Sequence, residues 1–283
     1  MRLTRLVVVL ALSSGLVACG SEADRDDAAA TTTAGARPSP LGLTVTDTAI
    51  EGPAEIKAGV VEVTVQNHSQ VPWQLNFARL DAGRTIEDVR DHDAAHADDE
   101  DAGPPPFIEL TGAVSAEPGR SANLTVVLTE ADWVIVAFTE DEKAKPLDAE
   151  LKVTAGDTDA KLPSTDAEID AHEFSYSIKG LEAGPNRVTL RNSGVEPHIF
   201  VLFGLKPDGR LDELLAFEGE GDAPGTTGFD RDLSYLDPGF AAITDLDLPA
   251  GKYGLACFLS SPPNDPNGEP HFTLGMKQEF TVA

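Results

Sequence analysis

Beyond about residue 41 the chain is built from short runs in which apolar and polar residues alternate. Val61, Val63 and Val65 alternate with polar or charged neighbours in one stretch, and Val188 and Leu190 do so in another; both runs end at clusters of Asn, Gly, Ser and Pro. A period of two predicts strands with one face toward a core. Thr125 to Leu128 and Ile243 to Leu248 behave likewise and are followed by turns, after which Trp133 to Phe138 and Tyr253 to Phe258 supply aromatic and aliphatic filling. Helical spacing is confined to two short segments, Thr85 to Val89 and Leu211 to Phe217, neither long enough to stand without packing.

These runs occur twice. Gly59 to Gly83 aligns with Pro185 to Gly209, setting Asn67 opposite Asn192 and Pro72 opposite Pro197, and Glu117 to Asp141 aligns with Asp237 to Ser261. A repeat of this kind outranks any local reading of the chain. The first copy covers residues 41–156 and the second 163–283, with Asp157 to Leu162 as the join. Many short strands with Gly/Pro turns predict an all-β fold of two tandem Greek-key β-sandwiches.

The N-terminus has a different character. Arg2 and Arg5 precede an apolar run from Leu6 to Leu12, too short to span a bilayer, and Leu16-Val17-Ala18-Cys19 closes it. This tetrapeptide resembles the lipobox of bacterial lipoproteins. The resemblance implies a signal peptide over residues 1–18 and acylation of Cys19, with an ordinary secretory signal as the alternative. Residues 19–40, rich in Ala, Thr, Ser, Asp and Pro, read as a disordered tether. The expected location is the extracytoplasmic face of a bacterial cell envelope, with Cys19 anchoring the chain to a membrane through lipid.

The formal net charge is -27, and loss of Arg2 and Arg5 with the leader makes it more negative still. Such a surface repels nucleic acid, which is excluded as a partner. Asp81 to Gly103 holds nine acidic residues against two arginines, with His92 and His96 four apart. On a helix the two imidazoles would share a face, as a metal site needs, but no apolar stripe anchors such a helix, and a mobile acidic loop is the expectation.

The chain contains two cysteines, two methionines and six histidines. With Met1 and Cys19 removed or modified, Cys257 is the one free thiol and Met276 the one methionine. The second copy carries His198, Cys257, His271 and Met276: two imidazoles, a thiol and a thioether, the donor set of a type 1 copper centre. A buried structural cysteine and a solvent-facing His271 are the alternative. An unpaired thiol outside the cytoplasm with no disulfide partner favours ligation.

The segment Asn192-Ser-Gly-Val-Glu-Pro-His198, the strand ending Pro-Ala-Gly-Lys-Tyr-Gly-Leu-Ala-Cys257, and His271-Phe-Thr-Leu-Gly-Met276 together resemble the cupredoxins, the blue copper proteins of plastocyanin and pseudoazurin type, over the whole second copy. The resemblance implies one type 1-like copper ion held by His198, Cys257, His271 and Met276, with Asn192 steadying the ligand loops and amides after Cys257 facing the sulfur. Phe200, Phe258 and Phe272 would contribute an apolar rim, and His271, on an exposed loop, would be the electron exit. Cys257 and His271 are fourteen residues apart, more than small cupredoxins have, so the Pro-rich segment Ser260 to Pro270 must bulge outward and return.

The function so implied is a one-electron carrier, not an enzyme, with a redox or envelope protein as partner. The alternative is a non-catalytic lipoprotein that binds an envelope component or stores or delivers copper. The first copy has Trp73 opposite His198 and Ala137 opposite Cys257, keeping the scaffold without the ligands, and His68 is opposite Ser193. No paired His-x-His motif supports a multicopper oxidase, a single cysteine in the ligand loop excludes a binuclear centre of oxidase type, and His172 is the sole spare histidine of the second copy for a nitrite reductase. No hydrolase motif is present.

Overall fold

A computed structural model describes residues 37–96, 103–141, 143–219, 223–263 and 268–283. The leader, Cys19 and nearly all of the tether lie outside the described residues. The first half comprises β1 (Ser39–Val45), β2 (Ile50–Glu51), β3 (Glu55–Lys57), β4 (Gly59–Asn67), β5 (Trp73–Leu80), α1 (Ile86–Ala95), β6 (Ile108–Ala116), β7 (Ser121–Leu128), β8 (Ala131–Phe138) and β9 (Leu147–Thr154). The second comprises β10 (Ala167–His172), β11 (Ser175–Lys179), β12 (Gly184–Asn192), β13 (His198–Leu205), α2 (Leu211–Leu215), β14 (Thr226–Leu236), β15 (Ala241–Leu248), β16 (Gly251–Ala256), β17 (Ser260–Ser261), β18 (Glu269–Pro270) and β19 (Lys277–Val282).

Alternation shows directly in the burial of β4, where Val61, Val63 and Val65 point inward and their neighbours outward. Central strands such as β8, read as continuous apolar runs, are covered on both faces. The pairings repeat at residue level. β1 runs parallel to β4 with Val45 opposite Asn67, and β10 runs parallel to β12 with Ala171 opposite Asn192. Together with β3–β9 these are the parallel pairs among the described residues; the other pairings are antiparallel, so the layers are not parallel coils stacked along an axis.

The expectation of two self-contained tandem Greek-key sandwiches of cupredoxin type is corrected by the sheet order. One eight-stranded sheet, β11-β10-β12-β15-β7-β4-β1-β2, passes through both halves, because β15 pairs antiparallel with β7 through Ala242–Val126, Ile243–Thr125 and Thr244–Leu124. Each half adds its own shorter sheet, β3-β9-β8-β5-β6 and β14-β13-β16-β19. A single apolar cluster extends from Leu41 in the first half to Val282 in the second. Edges that separate sandwiches would leave open are closed against each other.

Further contacts fasten the seam. Asn123 Nδ2 donates to Asp245 Oδ2 (3.1 Å), the Ala113 amide to Ser234 Oγ (3.0 Å), and the Leu110 amide to Asp237 Oδ2 (2.6 Å). At Gly112 a Cβ would lie 3.0 Å from that of Ala242 and 3.1 Å from Val126 Cγ1, so a side chain there would wedge the halves apart.

Both helices occupy their expected places. Instead of stopping at Val89, α1 reaches Ala95, because Thr85 and Asp88 form a capping box and Ile86 and Val89 are buried. Part of the expected mobile acidic loop is therefore helix. The rings of His92 and His96 stack at 4.3 Å, but the only group of three or more metal-ligating side chains among the described residues lies elsewhere. No helix of the described residues is long and apolar enough to cross a membrane.

Candidate metal centre

Three segments of the second half converge. His198 is the first residue of β13, Cys257 directly follows β16, and His271 opens the turn that leads to β19. Asn192 fixes the approach to β13: its Nδ2 donates to the carbonyls of Glu196 (2.8 Å) and Leu236 (2.9 Å), and its Oδ1 accepts from the Gly194 amide (2.9 Å). Asn67 does the same in the first half, donating to Val71 and Ala116 and accepting from Ser69. The expected steadying role of Asn192 is thus part of the shared scaffold.

The excursion after Cys257 folds back. β17 and β18 form a two-rung antiparallel ladder, Ser260 with Pro270 and Ser261 with Glu269, and the His271 amide donates to Leu259 (2.8 Å). The Phe272 amide donates to the Cys257 carbonyl (2.9 Å), and the Cys257 amide donates to the Met276 carbonyl (3.1 Å). Gly275, at φ 115°, takes the left-handed turn that brings Met276 back beside Cys257.

The result is a compact donor cluster. His198 Nδ1 lies 3.2 Å from His271 Nδ1, and His271 Nδ1 lies 3.3 Å from Cys257 Sγ. One ligand atom from each of the three residues lies within 4.8 Å of the others. All three side chains and Met276 are fully buried. The expectation that His271 is exposed fails, because the returning loop, Phe174 at 4.9 Å and Glu196 cover it. Phe200 likewise lies in the core rather than at a rim. The sulfur accepts from the Ile199 amide (3.4 Å), next to His198, and the Leu259 amide, one of those after Cys257, faces it as well.

Burial dominates the electrostatics. It pushes the Cys257 thiol up to about 11, against the amides of Ile199 and Leu259. It holds His198 down to about 4, assisted by repulsion from His271 and opposed by Glu173. His271 is also lowered by burial, with Glu196 acting in the other direction. Burial thus favours the neutral imidazole at both positions, the form that binds a metal.

Two nearby residues were missed in the sequence. Glu196 Oε2 is 3.1 Å from His271 Nε2, and Glu173 Oε1 is 3.5 Å from His198 Nε2. Among so many acidic residues a carboxylate carries no signal by itself. The signal that could have found Glu196 is its place in the repeat, opposite Val71.

No family model matches this chain, and no curated protein matches it. Among solved structures it is similar to auracyanin A, a "blue" copper protein from the green thermophilic photosynthetic bacterium Chloroflexus aurantiacus. The identity is 12%, covering 41% of this chain and 99% of that one, at a TM-score of 0.29. Reduced auracyanin of Roseiflexus castenholzii is 24% identical over 41% of this chain and 94% of that one, at 0.26. A McoA multicopper oxidase variant of Aquifex aeolicus is 12% identical over 87% of this chain and 66% of that one, at 0.28. Scores this low carry no inference.

None of these comparisons shows the cupredoxin family expected from three motifs, and the sheet continuous through both halves contradicts the paired sandwiches that went with it. The electron-carrier role leaned on that resemblance, as did the alternative of a copper-storing or envelope-binding sandwich lipoprotein, and both fall with it. The leader and Cys19, on which a lipid anchor would rest, lie outside the described residues. What the structure defines is a mostly β protein with a buried His/Cys/His cluster of ligand-like geometry.

Proposed function

We propose that this protein binds one copper ion through His198 Nδ1, Cys257 Sγ and His271 Nδ1, with the Met276 thioether as a weak fourth donor. The observation that carries the reading is the convergence of two imidazole nitrogens and a thiol sulfur, every one of them buried. With the outer nitrogens of both rings facing carboxylates, the two Nδ1 atoms turn lone pairs toward each other and toward the sulfur, and a cation between them satisfies all three. Two nitrogens, a thiolate and a thioether are soft enough for copper in either oxidation state. The high proton affinity of Cys257 means that the thiol enters the site protonated and that binding releases its proton. The donor set supports a binding role. An envelope location remains a proposal from the leader alone, resting on residues outside those described.

Titration of the purified protein with Cu(II) tests this. One equivalent per chain is expected, with intense visible absorption from thiolate-to-copper charge transfer, and Cys257→Ser abolishes the band. A band unchanged in that variant, or no stoichiometric binding, overturns the reading. A colourless protein that retains one Zn(II) against competition would replace copper by zinc at the same ligands.

A further inference from the structure

We infer that Glu173 and Glu196 are the positioning residues of this site, holding the two imidazoles by their outer nitrogens so that the Nδ1 atoms turn toward the ion. The inference rests on the metal-binding reading for its consequence and on geometry for its substance. Glu196 Oε2 stands at hydrogen-bonding distance from His271 Nε2, 3.1 Å. Glu173 Oε1 stands 3.5 Å from His198 Nε2, a buried nitrogen that has no closer polar partner among the described residues. A ligating imidazole whose outer N–H is taken by a carboxylate is fixed in tautomer and ring orientation and becomes a stronger donor.

Both carboxylates are themselves held in place. Glu173 Oε1 accepts the amides of Val195 (2.5 Å) and Glu196 (2.9 Å), tying the turn between β10 and β11 to the loop that delivers His198. Glu196 Oε1 accepts from Ser261 Oγ (3.0 Å), so the carboxylate that faces His271 also grips the clip returning His271 to the site. Gly194 leaves the necessary room, since a Cβ there would fall 2.3 Å from Glu173 Oε1.

The first half supplies the comparison. Val45 pairs with Asn67 as Ala171 pairs with Asn192, which places Asp47 opposite Glu173 and Val71 opposite Glu196. Asp47 Oδ1 accepts the Gln70 amide (2.9 Å), so a carboxylate that tethers the loop belongs to the scaffold. The second half has lengthened that carboxylate by one methylene, so that it reaches the ring as well as the backbone. It has also added a second carboxylate where the first half has valine. Both changes occur in the half that carries the ligands.

The test uses the full chain and the variants Glu196→Gln, Glu173→Gln and Glu173→Asp, the last restoring the residue of the first half. Histidine side-chain NMR of the metal-free protein is expected to show the His271 proton on Nε2, exchanging slowly with water, with both features lost in Glu196→Gln. Titration with Co(II) is expected to show affinity lowered by about 10- to 100-fold in Glu196→Gln and in the Glu173 variants. Glu130→Gln, in the first half, should bind as the parent does. Unchanged ring signals and unchanged Co(II) affinity in all three variants would overturn the positioning roles while leaving the metal site standing. Ring signals that depend on Glu196 in a parent protein that takes up no Co(II) or Cu(II) would support the positioning role and sink the metal reading.

Discussion

Asn192 shows how one side chain serves both scaffold and site. Three of its hydrogen bonds close the loop that ends at His198, and the side chain is wholly buried. Truncation leaves buried carbonyls and an amide without partners, and such groups cost about 1–3 kcal/mol each when they cannot reach water. Asn192→Ala is therefore expected to lower unfolding free energy by about 2–3 kcal/mol, after partial relaxation, and to weaken metal binding as well. Asn67→Ala breaks the same motif in the half without ligands and should destabilise comparably while leaving affinity unaltered. Urea unfolding and metal titration of the two variants check this, and an equal loss of affinity in both would show that the loop acts only through global stability. The positions facing these loops explain the contrast: Trp73 fills its pocket and satisfies its indole N–H on Ser69 Oγ (3.0 Å), whereas His198 presents nitrogens that need a partner.

At the scale of elements, the ladder between β17 and β18 decides whether the long segment between Cys257 and His271 can serve a site. Its two rungs and the bond from His271 to Leu259 return the chain and hold His271 at the site. Replacing residues 262–268 by Asn-Gly, a two-residue turn suited to a hairpin, is expected to leave metal affinity within about threefold of the parent. A loss beyond about tenfold by the same titration would mean that the excursion itself shapes the site. Much of this level could be read from the chain. The repeat located the strands, the alternation in β4 marked its inward face, and three separated motifs named residues that meet in space. Pairing of β7 with β15 could not be read, because alternation reports which face is buried and is silent on whether an edge is covered. The burial of His271 was hidden for a related reason: the Pro- and Gly-rich stretch before it gives no sign of the ladder that returns the chain to Cys257.

The whole molecule is governed by the seam. Asp237 sits there with its carboxylate accepting the Leu110 amide (2.6 Å) and its own amide donating to the Leu110 carbonyl (2.9 Å), joining the turn before β15 to β6 of the other half. Burial pushes this carboxyl up to about 6, against the Leu110 amide and with repulsion from Glu109 adding to the shift. A group whose folded pKa lies above its unfolded value stabilises the fold when protonated. That contribution is complete below an unfolded value of about 3.8 and disappears as pH rises through about 6. The difference is on the order of 1–3 kcal/mol across this window. Asp237→Asn keeps an acceptor oxygen for Leu110 and removes the ionisation. It is therefore expected to match the parent near pH 4 and to exceed it in stability at pH 7.5. Other carboxylates, such as Glu173 and Asp212, have lowered values and act in the opposite direction in both proteins. The measurable quantity is thus the difference between parent and variant in urea midpoint at the two pH values. A difference that does not change with pH would mean that Asp237 is ionised at no cost, and that the seam is more open to water than the continuous sheet and its shared core imply.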